Sequence, residues 1–330
     1  MAVKLGVIIP TNKRIKIKLP ERMLNICKEK NIEVSVLDVD DDNFFETGPF
    51  DVLLHKIEDF YNECSPEEAL QRTTKVRAYA ARYPDMIVLD DFDVSMKMTD
   101  RNFMTNVIQQ ACMTIDGITV FVPKIIEIPE NSTLEECKQL VSSNFMKFPV
   151  LAKPLSASLD QGSHNMVLIF SMDHLSNLPK PCLLQEFCNH SGIIYKIFVI
   201  GDHISFCERP SIKDIHQSDQ KNDTLYFDTR DVSKTGKAFI PDLHESNPND
   251  RVWLSSDENP NMLNSNVVNA VVKRVKEVCN IHLFGLDILV EKETGNYALI
   301  DCNQFPGYTG INEEYLPKYL AELILKLAKK

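Results

Sequence analysis

Three oxygen-bearing side chains near the C-terminus fall on two stretches that read as the arms of one hairpin. Leu283-Phe-Gly-Leu-Asp-Ile-Leu-Val290 and Tyr297-Ala-Leu-Ile-Asp-Cys-Asn303 are joined by the turn Glu293-Thr-Gly-Asn296. Side chains alternate faces along an extended strand, so Asp301 and Asn303 point one way while Cys302 points into the core. With Asp287 they form a set of hard oxygen donors, which suits Mg²⁺ bridging protein carboxylates to substrate phosphates. A hairpin whose acids only cap or turn is the plainer alternative. The apolar flanks of Asp287 and Asp301 weigh against it, because both carboxylates would be half-buried, where an unpaired charge is costly.

A phosphate needs cations as well as a metal. Lys153 ends the apolar strand Phe148-Pro-Val-Leu-Ala-Lys153, and the loop Ser156-Ala-Ser-Leu-Asp-Gln-Gly-Ser-His164 follows. Backbone N–H groups of such a loop can cradle an anion beside an ammonium, although the same residues also make a simple hairpin. His164 is placed either to support the fold or to donate to a phosphate. Lys196, in Tyr195-Lys-Ile-Phe-Val199, and Arg209, in Cys207-Glu-Arg-Pro210, could reach one cleft or snorkel to solvent. Farther N-terminal, Lys13-Arg-Ile-Lys-Ile-Lys18 holds four cations within six residues, either a solvated edge or an anion patch. Arg14 and Lys56 both follow strand ends, where ligands meet α/β sheets.

The elements that must position these groups alternate at first. Val3–Ile9, Glu33–Leu37, Asp51–His55 and Met86–Leu89 read as strands, with helices over Glu21–Lys30 and Pro66–Tyr83. That order predicts a Rossmann-like parallel sheet over residues 1–95. Neither G-x-G-x-x-G nor G-x-x-x-x-G-K-[S/T] occurs, which disfavours a dinucleotide fingerprint and excludes a Walker A loop. A break at Asp90–Asp93 leads to a helix from Thr99-Asp100 through Ala111. An α+β pattern follows: strands Thr119–Val122, Pro149–Lys153, Met166–Phe170 and Cys182–Phe187, with a helix at Leu134–Ser143. Ile193–Ile200 and His203–Arg209 form a hairpin around Gly201-Asp202. Residues 211–265 are polar and turn-rich, as a lid or a disordered stretch would be, unless internal strands such as Thr224–Phe227 break them up. The helix Val267–Cys279 then precedes the acidic hairpin. Three divisions result: 1–95, 96–190 and 191–330.

Composition narrows the class. A chain of 330 residues that is 44% hydrophobic can bury a large core. The net charge of −11 argues against nucleic-acid or anionic-membrane binding, and no apolar stretch is long enough for membrane insertion. Nine cysteines without a Cys-x-x-Cys pair fit neither a disulfide framework nor a zinc site, which points to a reducing, cytoplasmic setting. A monomer is the default expectation.

The order of strand lysine, flexible loop, Leu184-Gln-Glu-Phe187, Lys-bearing strand and Asp…Asp-x-Asn resembles the ATP-grasp superfamily. Tyr195-Lys-Ile-Phe-Val-Ile-Gly201, Arg209-Pro-Ser211, Leu283-Phe-Gly-Leu-Asp287, Asp301-Cys-Asn-Gln-Phe-Pro-Gly-Tyr308 and His55-Lys56 resemble the inositol 1,3,4-trisphosphate 5/6-kinase family, also called inositol-tetrakisphosphate 1-kinase. The resemblance implies an ATP-grasp fold behind an N-terminal Rossmann-like, pre-ATP-grasp domain. It implies ATP held by Arg101, Lys153, Gln185, Glu186, Phe187, Cys188, Ser211 and Ser233, and two Mg²⁺ ions on Asp287, Asp301 and Asn303. Inositol polyphosphate would meet Arg14, Lys56, His164, Lys196, Arg209, Asn303 and Gly307, with Lys153, His164 and Lys196 as the catalytic group. The implied reaction is in-line transfer of the γ-phosphate to an inositol hydroxyl, governed by positioning and charge neutralisation. The chain departs from the family at Arg14, where lysine is common, and in its loop, which reads Leu159-Asp-Gln-Gly-Ser-His164 without the usual His-Gly. A carboxylate–amine ligase would use the same hairpin, and a noncatalytic inositol phosphate-binding protein would keep the fold alone.

Overall fold

The computed structural model describes residues 2–157, 161–216, 224–234 and 263–329. Most of the polar 211–265 stretch and the loop residues 158–160, including Leu159 and Asp160, lie outside that set.

The N-terminal sheet is fully parallel. Strands β1 (Val3–Ile8), β2 (Ile32–Val36), β3 (Val52–His55) and β4 (Ile87–Leu89) stand in the order β2-β1-β3-β4. Two strands are covered on both faces, which is why they read as unbroken apolar runs. Helix α3 (Pro66–Ala81) starts where its sequence says it should: Ser65 and Glu68 cap each other's backbone N–H groups behind Pro66. The basic run is a short helix, α1 (Thr11–Ile17), and Lys18 closes it in a left-handed conformation. The single helix expected over Glu21–Lys30 is divided into a 3₁₀ turn, Glu21–Met23, and α2 (Leu24–Glu29). The break expected at Asp90–Asp93 is instead the start of α4 (Phe92–Lys97), because Asp91 accepts from the N–H groups of Asp93 and Val94.

Two further sheets follow. Helix α5 (Arg101–Gln110) leads into β5 (Met113–Ile115), β6 (Ile118–Phe121), β7 (Ile125–Ile128), α6 (Leu134–Ser143), β8 (Val150–Pro154), β9 (Asn165–Ile169) and β10 (Cys182–Glu186). Next come the hairpin β11 (Ile193–Ile200) and β12 (His203–Pro210), then β13 (Leu225–Asp228), α7 (Thr229–Lys234), α8 (Ser265–Cys279), β14 (Leu283–Val290), β15 (Tyr297–Gln304) and α9 (Tyr315–Ala328). The central sheet runs β13-β9-β8-β10-β7 and the third β12-β11-β14-β15-β6-β5. Strands β5 and β6 thus join the third sheet although they precede the central one in sequence. Strand β7 and helix α9 have no counterpart among the sequence expectations. On α8, Val267, Val271, Val275 and Cys279 recur at helical spacing and are buried against the third sheet and α5.

The first and third sheets share one core. Leu5, Val7, Val52 and Leu54 pack in the same cluster as Ile200, Leu283, Phe305, Leu316 and Leu320. Asp90, buried at the end of β4, fixes the join. Its carboxylate accepts from the backbone N–H of His282 at 2.9 Å and of Leu283 at 3.0 Å, and contacts His282 Nδ1 at 2.9 Å. Its carbonyl accepts from His55 Nε2, a ring that burial holds neutral with its pKa near 4. Asp90→Ala leaves two buried N–H donors at the head of β14 without acceptors. It is expected to cost at least about 3 kcal/mol, read as a lower urea midpoint. An unchanged midpoint would show that the apolar core alone makes the join.

Candidate active site

The acidic hairpin and the lysine strand meet in one row. Lys196 on β11 lies opposite Asp287 on β14, and Asp287 lies opposite Asp301 on β15. Three adjacent strands therefore bring three charged side chains to one face of the sheet. Lys196 Nζ donates to Asp287 Oδ2 at 2.6 Å. Asn303, two residues beyond Asp301, donates its amide N–H to Asp301 Oδ2 at 3.0 Å, while Cys302 between them is fully buried. Arg209 is two residues from Cys207, the β12 partner of Lys196, so it shares their face. Burial, together with the charge of Asp301, pushes the Asp287 carboxyl up against the pull of Lys196.

The central sheet presents its own cations to this row. Lys153 Nζ, on β8, donates to the carbonyl of Ile300 at 3.1 Å, beside Asp301. Burial lowers its pKa to about 8, with Asp301 opposing the shift. Arg101 is buried and donates to the carbonyls of Pro154, Ser156 and Ser163, so it gathers the two described ends of the Ser/Gly loop. Arg101, Lys153, Leu183, Ile300 and Asp301 line one narrow cleft between the two sheets. His164 ends that loop with its Nδ1 3.2 Å from Thr229 Oγ1, which leaves Nε2 for another partner. Burial and then Arg230 lower its pKa, so the ring is neutral at pH 7.

At the end of β10, Gln185 and Cys188 are buried. Glu186 accepts from Lys147 N–H at 2.8 Å, and the Phe187 N–H donates to the Pro149 carbonyl at 3.0 Å. Ser211 is tied to a residue that sequence reading passed over: its hydroxyl lies 2.8 Å from His190 Nε2, while His190 Nδ1 faces the Cys188 carbonyl at 2.7 Å. Asp214 accepts from the N–H groups of His190 and Ser191 and pairs with Lys292. This clamp joins residues more than twenty positions apart, with no local spacing to announce it. Ser233 lies on α7, and its side chain is outside the described set.

The remaining expected residues cluster at the junction with the first sheet. Lys56 is buried, 2.7 Å from Glu58 and 3.5 Å from Asp59, and reaches the Gln304 carbonyl at 3.4 Å. Arg209 donates to the carbonyl and hydroxyl of Thr309. Gly307 lies beside α1, where a Cβ would come 3.8 Å from Lys16 Cε. Arg14 is half-buried on α1.

This three-sheet architecture is that of ATP-grasp enzymes. The macrocyclase MdnC from Microcystis aeruginosa MRC, solved with its precursor peptide MdnA, superposes with a TM-score of 0.59 at 9% identity, covering 98% of this chain and 99% of that one. D-alanine–D-alanine ligase from Bacillus anthracis superposes at 0.53 with 13% identity, over 100% and 99% of the two chains. These likenesses concern the fold. The particular family follows from sequence: the profile for the inositol 1,3,4-trisphosphate 5/6-kinase pre-ATP-grasp domain matches residues 6–94, and that for the ATP-grasp domain of the same family matches residues 115–325. Inositol-tetrakisphosphate 1-kinase of Danio rerio is 28% identical over 305 residues, 92% of this chain and 74% of that protein. Inositol-tetrakisphosphate 1-kinase 1 of Arabidopsis thaliana is 28% identical over 315 residues, covering 92% and 90%. The chain belongs to the inositol 1,3,4-trisphosphate 5/6-kinase family and is an inositol polyphosphate kinase.

Kinases of this fold use ATP, so the donor set can be tested against a metal. Among the described residues no three His, Cys, Asp or Glu side chains converge; the candidate set is two carboxylates and one amide oxygen. Its chemistry fits a small hard cation. Asp287 and Asp301 are directly opposed and partly shielded from water, and Lys196 and Lys153 do not overcome the upward push of burial on Asp287, so added positive charge relieves their repulsion. Mg²⁺ without nucleotide, at ten times its dissociation constant, is expected to stabilise the protein by about 1.4 kcal/mol, raising Tm by about 2 °C. Loss of that rise in Asp287→Asn/Asp301→Asn would assign the ion to this pair; an equal rise in the variant would place it elsewhere.

Proposed function

We propose that the protein transfers the γ-phosphoryl group of ATP to a hydroxyl of an inositol tris- or tetrakisphosphate, in line, at the Lys196–Asp287–Asp301 row. The observation that carries this reading is the row itself, faced by Lys153 from the central sheet, with Arg209 on the same face and Lys56 at the end of β15. One carboxylate substrate has no use for so many cations, whereas several phosphates on one ring do.

ATP lies in the cleft between the central and third sheets, its adenine edge against Gln185–Cys188 and its phosphates near Lys153. Two Mg²⁺ ions held by Asp287, Asp301 and Asn303 would neutralise charge on the transferring phosphate. Lys153 adds a fixed positive charge to the nucleotide phosphates, and Arg101 keeps the loop strands in place around them. Lys196 is held at the row by Asp287, so it meets the substrate phosphates without being free to turn away. His164, neutral at pH 7, donates a hydrogen bond rather than a charge. Positioning of this kind supplies most of the acceleration in phosphoryl transfer. Residues 1–95, 96–190 and 191–330 form the three working parts, in a monomer. Nine unpaired cysteines, six of them buried, suit a reducing cytoplasm.

The deciding experiment is ADP release with Mg·ATP across inositol tris- and tetrakisphosphates, with product isomers resolved by anion-exchange chromatography. Phosphorylated product is expected. Intact ATP with every inositol phosphate, together with amine-dependent ADP release, would turn the reading to a ligase. Asp301→Ala is expected to lower kcat by at least about 10²-fold. Arg14→Ala is expected to act mainly on KM for the inositol phosphate.

A further inference from the structure

The single proton of the Ser211 hydroxyl has a fixed address. His190 is buried, and its ring bridges two groups: Nδ1 lies 2.7 Å from the Cys188 carbonyl and Nε2 lies 2.8 Å from Ser211 Oγ. A carbonyl oxygen can only accept, so Nδ1 carries the ring's hydrogen and donates it. Burial lowers the His190 pKa, with the Cys188 carbonyl and Asp214 opposing, and the ring is neutral at pH 7. Nε2 is therefore bare and accepts from Ser211, whose oxygen turns only lone pairs toward any further neighbour. Both ends of this bridge are held. Asp214 accepts from the N–H groups of His190 at 2.9 Å and Ser191 at 2.8 Å, and Lys292 donates to it at 2.6 Å. Asn189 pairs its side-chain oxygen and nitrogen with the backbone of Ile215 at 2.9 and 3.0 Å, and the Ser211 N–H donates to the Gly192 carbonyl at 2.8 Å. The Phe187 ring lies against the imidazole, with 5.7 Å between centroids. Ser211 thus stands one imidazole's width from Cys188, just beyond the end of β10.

We propose that His190 is a positioning residue that holds the Ser211 hydroxyl as an acceptor for a hydrogen-bond donor on the nucleoside half of ATP, and so sets which nucleotide the enzyme prefers. This rests on the kinase reading above and on the place it gives the nucleotide along Gln185–Cys188. The ligand's own chemistry selects the nucleoside half. Phosphate oxygens are acceptors and gain nothing from a lone pair, whereas the nucleoside offers donors, the exocyclic amine of the base and the ribose hydroxyls. A serine free to rotate would serve donors and acceptors alike. With its proton committed to His190, Ser211 favours a donor and rejects an acceptor at the same place, such as the carbonyl oxygen that replaces the amine in a 6-oxopurine.

The test measures KM, at saturating inositol phosphate, for ATP, for purine riboside triphosphate, which lacks the amine, and for 2′-deoxy-ATP and 3′-deoxy-ATP, in wild type, Ser211→Ala and His190→Phe. In wild type one analogue is expected to show a KM at least about fivefold above that of ATP, the size of one hydrogen bond. The purine riboside arm would assign the amine, and a deoxy arm a ribose hydroxyl. In both variants KM for ATP is expected to rise by about that factor and the preference over the analogue to vanish, while KM for the inositol phosphate stays within about twofold. A histidine that only supported the fold would weaken all four nucleotides together and leave the preference in place. An active wild type without preference, or variants that keep it, overturns the His190 assignment and leaves the kinase intact. A wild type inactive on every inositol phosphate overturns the reading beneath it as well. Should His190→Phe fail to fold, nitrogen NMR of His190 in the wild type at pH 7 decides: a protonated Nδ1 and a bare Nε2 are expected, and the opposite tautomer or a doubly protonated ring overturns the assignment.

Discussion

The pairing register of β11, β14 and β15 is the constraint on which the site depends. A strand's side chains change face with every residue, so a slip by one position would bury Lys196 and Asp301 in the core and turn apolar groups to the cleft. The apolar residues between the charged ones prevent that slip: Ile197, Leu286, Ile288 and Cys302 are all fully buried. Core packing therefore sets where charge goes. The irregularity in pairing between Asp287 and Ile288 lies just where a polar residue interrupts the apolar run, as bulges beside functional sites commonly do.

Much of this was legible in the sequence because it is local. The acidic hairpin, the Gly201-Asp202 hairpin, α6 and the parallel sheet all follow from periodicity, caps and turn residues within a few positions. The ATP-grasp architecture and the family were readable from motif order. What escaped is mostly non-local. The His190–Ser211 and Asp90–His282 contacts join residues far apart in sequence, and single histidines and aspartates carry no signature of their distant partners. The short helix α1 was hidden because a run of cations looks solvated, whereas its interior face is defined by Phe305 and Gly307, almost three hundred residues later. Helix α9 buries Leu316, Leu320, Leu323, Ile324 and Leu327 at helical spacing, so its signal is present in the sequence.

The three sheets are not equally bound to one another. The first and third are sewn together by a continuous apolar core and by Asp90. The central sheet keeps a core of its own around Ile128, Val141, Val167 and Leu184. It meets the rest of the site through polar links such as Lys153 to Ile300 and Arg101 to the loop ends. The cleft proposed for the nucleotide thus falls where packing is weakest, which is where a ligand's own contacts can do most to join two units.

Collecting Lys13 and Lys56 over one Phe305 ring, in a partly buried recess of a protein whose formal charge is −11, has a kinetic corollary. A polyanionic substrate feels net repulsion at long range and attraction only within about 8 Å of the recess, roughly the screening length at physiological ionic strength. Salt then acts in opposite directions on the two halves of the encounter, easing the approach while loosening the final contacts, and selection falls on short-range complementarity rather than on long-range capture.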